Sequence, residues 1–304
     1  MIDRTAPAVC LAARRRATAV VAAAGVALAA MTPGAAGSTT PVSGAGQAWF
    51  ERSFVVAADR KCGLFPKELG AALQASALQA RGAAARAGEG PEALSQGLAR
   101  AEGLAASTAC DHPDLAVVRD RAVQAYGAWT GLRRMNFPGQ RNAWQADRTR
   151  RDVAAWRLSQ TVAVGKARAM AGLLARPDAA DVLAVAVAFP GKSRPYAARL
   201  AVRDATRVNL PWLQDGGASP PPEWTRLNLL AASSSAADPV LAGETEGEAA
   251  LWLFSDAAAD ALAKLDPRET FVVEFLFRDD SVARVRFEVG DFAAGRAFAA
   301  LGPL

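Results

Sequence analysis

Apolar side chains recur at three- and four-residue steps from Gln47 to about Leu132, the spacing of helical faces. Phe50, Phe54, Ala57 and Ala58 mark a first helix that ends near Cys62-Gly63. Pro66 suits the first turn of a second, whose stripe is Leu69, Ala72, Leu73, Ser76 and Ala80. Gly88-Glu89-Gly90 interrupts it, and Pro91 opens a third helix that reaches about Ala106. Asp111-His112-Pro113-Asp114 supplies a cap and an early proline for a fourth, carried by Leu115, Val118, Ala122, Ala125, Trp129 and Leu132.

From about residue 158 the period becomes two. Val162 and Val164 precede Gly165, large and small side chains alternate from Leu183 to Phe189, and Pro190-Gly191 signals a turn before Ala197–Val202. Gln214–Pro222 reads as a loop, as does the polar stretch 231–249 with its serines and Glu244, Glu246 and Glu248. Leu251–Phe254 is a short strand, and Asp256 begins a helix to about Leu265. Phe271, Val273, Phe275 and Phe277 share a strand face. Asp279-Asp280-Ser281 turns the chain, and Val285, Phe287 and Val289 return against Arg284, Arg286 and Glu288. Gly290-Asp291 starts a closing helix through Phe298 and Leu301.

The pattern predicts an α+β protein: a helical domain at 47–132, a basic aromatic connector at 133–157, and a mainly antiparallel, sandwich-like β-rich domain at 158–304. Residues 1–36 read as a signal peptide. Arg4, Arg14, Arg15 and Arg16 precede an uncharged core of about fifteen residues, followed by Pro33 and the small residues Gly34-Ala35-Ala36. A spanning helix needs roughly 20 apolar residues, so cleavage after Ala36 is expected, with a flexible lead-in at 37–46 and no transmembrane segment thereafter. The expected compartment is the periplasm or the exterior.

Export changes the charge. The leader removes four basic residues and one acidic one, so 35 against 30 becomes 31 against 29 and the net charge falls from +5 to +2. That near-neutral balance argues against nucleic acid as a partner. Two cysteines remain, Cys62 and Cys110, and an even pair in an exported chain predicts a disulfide. Closing a loop of nearly fifty residues would stabilise by roughly 4 kcal/mol in the chain-entropy view.

Little in the sequence carries catalysis. His112 is the only histidine, which excludes a multi-histidine metal centre, and it sits in a capping turn. No Gly-x-Ser-x-Gly elbow is present, and Pro190-Gly191-Lys192-Ser193 lacks the spacing of a phosphate loop. Asp279 and Asp280 fit a turn, and Glu244, Glu246 and Glu248 a solvated loop. No cofactor is implied. The stretch 133–157 holds seven arginines against Asp147 and Asp152, with aromatics interleaved. Its residues Arg134, Arg141, Trp144, Arg148, Arg150, Arg151 and Trp156 form the candidate binding surface, because arginine and tryptophan are favoured at protein contacts. An envelope protein or an anionic glycan is the expected partner. The same residues would equally serve as an amphipathic connector.

Residues 150–304 resemble the invasion-associated locus B family of exported proteobacterial proteins. Trp156 near the start, the extended runs Leu183–Phe189 and Ala197–Val202, and the ending Val285–Leu301 carry the likeness. The resemblance implies a small β-sandwich-like module that acts at the cell envelope without enzymatic activity. The family's cysteine pairs are absent from this region, and the helical half has no counterpart there. The sequence thus points to an exported, non-enzymatic protein that binds another envelope component. The alternatives are an envelope hydrolase with an unassigned carboxylate site, or a structural or assembly factor of an envelope complex.

Overall fold

The computed structural model describes residues 44–165, 167–177, 179–214, 219–243 and 248–304, all within one compact unit. The expected leader, most of the lead-in, and Glu244 and Glu246 lie outside the described residues.

Four helices come first: α1 (Gly44–Cys62), α2 (Lys67–Arg86), α3 (Pro91–Ser107) and α4 (Pro113–Thr130). The stripe Leu69, Ala72, Leu73, Ser76 and Ala80 of α2 is buried, as its spacing predicts. On α1 and α3, Trp49 lies within 3.6 Å of where a side chain on Gly97 would begin, and its indole N–H donates to Leu94 O at 3.0 Å. Only Leu115 and Ala122 of α4 are buried, so the fourth helix lies at the periphery. His112 caps it, its Nδ1 accepting from Asp114 N–H at 3.2 Å. Cys62 and Cys110 form a disulfide, with Cα atoms 5.5 Å apart, that ties the end of α1 to the entry of α4.

Two antiparallel sheets follow. The large sheet has seven strands in the order β1 (Arg134–Phe137), β2 (Trp144–Asp147), β3 (Ala155–Val164), β4 (Ala167–Arg176), β5 (Ala179–Ala188), β9 (Ala249–Leu253), β8 (Ser233–Ala236). The small sheet has four, in the order β11 (Val282–Glu288), β10 (Thr270–Leu276), β6 (Ala197–Arg203), β7 (Arg226–Leu230). Their inner faces share one core with α6 (Asp256–Ala263) and α7 (Phe292–Ala299). Phe137, Trp144, Leu158, Leu183 and Trp252 meet Leu200, Phe271, Val273, Phe275 and Phe287 there. The short α5 (Pro239–Ala242) covers the outer face, where Leu241 packs with Leu174, Ala186 and Leu251. The α+β class and the sandwich-like β-rich portion are as the pattern predicts.

Two stretches differ from the expectation. The segment 133–157 is no connector, because it supplies β1, β2 and the start of β3. Its alternation is too short to stand out: Trp144 and Ala146 face inward while Gln145 faces water. Ser233–Ser235, expected in a loop, form β8, paired along β9 through the backbone with no help from apolar side chains. The helical layer docks on the β-rich part through α2 and α7. Gly82 permits the approach, since a methyl group there would collide with the Asp291 carboxylate. Arg86 clasps that carboxylate with two hydrogen bonds, at 2.6 and 2.9 Å.

Candidate functional site

The β1–β2 hairpin, the segment after it and the start of β3 carry the residues on which a binding role was expected, and the structure separates them into inner and outer sets. Trp144 is wholly buried: it stacks near Phe271, meets Phe292 edge-on, and its indole N–H donates to Val289 O at 2.8 Å. Arg148 is buried too. Its guanidinium donates to Gly302 O (2.8 Å), Thr130 O (2.7 Å) and Leu132 O (3.2 Å), and it lies 5.1 Å from the centre of the Phe298 ring. These carbonyls end α4 and follow α7, where helices leave acceptors unpaired and a cation is favoured. Burial lowers the Arg148 pKa, with Arg157 adding to the effect. Trp156 is half-buried on the outer face of the large sheet, and its indole N–H donates to Leu241 O at 3.0 Å.

Arg134, Arg141, Arg150 and Arg151 remain exposed. Arg134 and Arg151 converge on one oxygen of Asp147, at 3.1 and 3.5 Å. Burial works to raise the Asp147 pKa, but hydrogen bonds from Thr149 and the Arg134 charge prevail and hold it low. Arg133 and Arg150 are exposed beside this pair in sequence. Arg141 stands at the other end of the hairpin, where it meets Glu288 at 3.2 Å.

Sequence reasoning could not have found the most elaborate cluster, because its members lie far apart in the chain. The loop between β1 and β2 wraps the Glu288 carboxylate. The backbone N–H groups of Gln140, Arg141 and Asn142 donate to its Oε2 at 2.8, 2.9 and 3.1 Å. The Gln160 side-chain amide bridges to the Glu288 backbone, accepting from its N–H at 2.8 Å and donating to its carbonyl at 3.1 Å. Burial would raise the Glu288 pKa, yet the donors outweigh it and the pKa is lowered. Glu288 thus stitches the large sheet to the small one.

Other carboxylates are used in the same way. Glu269 accepts from Arg203 at 2.7 and 2.8 Å, from Trp212 N–H at 2.9 Å and from Asp266 N–H at 2.8 Å. Arg203 also donates to Val208 O. Glu274 sits between Arg199 and Arg284 at 2.5 and 2.9 Å. Asp279 forms the expected turn, accepting from Ser281 N–H and its hydroxyl. Among the described residues no group of three or more His, Cys, Asp and Glu is placed to hold a metal ion. No described helix is long and apolar enough to cross a membrane. A hollow of about 200 Å³ lies beside the turn 190–195, lined by Phe189, Lys192, Arg194, Ala236 and Glu248 among others. There Lys192 stands 5.0 Å over the Phe277 ring.

Comparison with protein-family models, with curated proteins and with solved structures finds no match.

Proposed function

We propose that this is an exported, non-enzymatic envelope protein that binds an acidic envelope component through the exposed arginines at the open end of the β1–β2 hairpin. The observation that carries this reading is the convergence of Arg134 and Arg151 on Asp147, with Arg133 and Arg150 exposed alongside. Asp147 and the neighbouring Asp152 cannot neutralise all four of these guanidinium groups. Their planar forks suit carboxylate, sulfate or phosphate groups on a partner. Trp144 and Arg148 hold the hairpin to the core, and Trp156 holds β3 to α5, so these three take no direct part. The resemblance to the invasion-associated locus B family belongs to the same proposal, since it too implies a non-catalytic sandwich module at the envelope. The disulfide between Cys62 and Cys110 supports an oxidising compartment.

The test is retention of residues 37–304 on an immobilised acidic glycan, eluted with a salt gradient. A variant with Arg134, Arg150 and Arg151 changed to Glu runs in parallel. The wild type should be retained, and the variant should bind at least tenfold more weakly while keeping its circular dichroism. Equal retention of both folded forms would remove this surface from the binding role.

A further inference from the structure

We propose that β8 is a self-pairing edge: two copies of this chain join their large sheets antiparallel, about a two-fold axis through Ser235. This goes beyond the binding reading and does not depend on it. The first support is composition. From Leu229 to Ala237 the chain runs Leu-Leu-Ala-Ala-Ser-Ser-Ser-Ala-Ala, with no charge and no proline. The other described sheet edges carry the residues that normally deter pairing. Arg134 lies on β1, Arg284 and Arg286 on β11, and Arg226 on β7, whereas a charge and a proline meet β8 only beyond its end, at Asp238-Pro239. Residues 232–236 are all exposed.

The second support is hydrogen-bond parity. Phe254 N–H donates to Leu183 O and Ala237 N–H donates to Ala249 O, both at 2.8 Å. In the registers Ala184↔Leu253 and Ser235↔Leu251, these bonds turn the backbone of Ser233 and Ser235 toward β9. The N–H and C=O groups of Ser234 and Ala236 therefore point away from the sheet. An antiparallel partner centred on Ser235 sets Ser234 of one copy opposite Ala236 of the other, twice over, and satisfies both outward pairs. Such self-complementarity is what a two-fold interface requires.

The register ends with the strand, since Leu230 lies on β7 of the small sheet and Val240 on α5. A contact of one four-residue strand falls below the roughly 1,000 Å² that marks a stable complex. The dimer should therefore form progressively with concentration.

Sedimentation equilibrium of residues 37–304 over a wide concentration range tests the proposal. The wild type should shift from monomer to dimer. Ser234→Pro removes only an outward N–H, so it should keep the β8–β9 pairing and weaken dimerisation at least tenfold. Ser235→Cys places two thiols across the axis at a directly opposed pair, within disulfide reach. It should give a cross-linked dimer on oxidation, whereas Ser233→Cys should not. A wild type that stays monomeric throughout would overturn the proposal. So would equal cross-linking of the two cysteine variants, or a folded Ser234→Pro form that dimerises as strongly as the wild type. Loss of glycan retention in the arginine variant leaves all of these outcomes unaffected, so the two readings fail separately.

Discussion

The two sides of the sandwich are closed by different means. At the β1 side, charge does the closing. Glu288 on β11 draws in three backbone N–H groups from the β1–β2 loop, Gln160 bridges to its backbone, and Trp144 reaches Val289. Arg148 then ties the end of the hairpin to the ends of α4 and α7. At the β8 side, the chain itself is the closure. It leaves β7, crosses through Ala231 and Ala232, and enters β8, with one bond from Ala231 N–H to Ala198 O and one from Ala232 N–H to Leu253 O. Buried charge is costly unless fully satisfied, so the first side is rigid but depends on each member being present. The second loses little when a side chain changes, and among the described residues β8 has no strand on its outer side.

The largest expected effect is at Arg148. Its replacement by Ala removes three charge-assisted hydrogen bonds, to the carbonyls of Thr130, Leu132 and Gly302, together with the cation over Phe298, and empties the space of a buried side chain. Arg148→Ala should lower the unfolding free energy by about 3 kcal/mol or more, read from urea titration of tryptophan fluorescence. A loss under about 1 kcal/mol would be that of an exposed arginine, and the contrast between the two sides would fail at its strongest point.

Next comes Glu288→Gln, which keeps the shape of the side chain and removes its charge. The cost should be about 2 kcal/mol at neutral pH, the range for hydrogen bonds to a charged group. The sign of its pH dependence follows from the lowered pKa. A carboxylate whose folded pKa is depressed contributes stability that is present above its unfolded pKa and lost as pH falls through the folded one. The gap between wild type and Glu288→Gln should therefore be widest near neutrality and close in acid. A gap that widens in acid would mean that the nest does not favour the ionised form.

The same contrast explains what the sequence made legible. The α2 stripe, the cap at His112, the disulfide and the β10–β11 hairpin all rest on local periodicity or on counting, and each was readable. Arginine is different, because its place depends on where unpaired acceptors lie. Arg134 and Arg148 look alike in sequence; one is in solvent, and the other is enclosed by helix ends contributed from residues 130–132 and 301–302. No local pattern carries that information. Glu288 likewise reads as a wet-face residue of a hairpin, and only the loop folding over it turns it inward. The strand β8 escaped for the opposite reason: Ser-Ser-Ser has no alternation, so its pairing is visible only through β9.

The smallest effects should come from paired substitutions on the two outer edges, Arg134→Ala and Ser235→Lys, at concentrations where the chain is single. Each should change the unfolding free energy by no more than about 0.5 kcal/mol, since both sites are exposed and neither leaves a buried group unpaired. Salt distinguishes them. Arg134 makes an exposed pair with Asp147, its side chain 71% accessible, so its small contribution should fade as added salt shortens the screening length to roughly 3 Å at 1 M. Ser235 has no charged partner among the described residues, and a lysine there should meet only backbone and Leu251 across the strand. Its effect on the monomer should be insensitive to salt. At high concentration the same lysine would face its own copy across the proposed axis, and salt should then restore association. If instead Ser235→Lys destabilises the monomer as much as a core change, β8 is held by its side chains. The uncharged edge would then be as closed as the charged one.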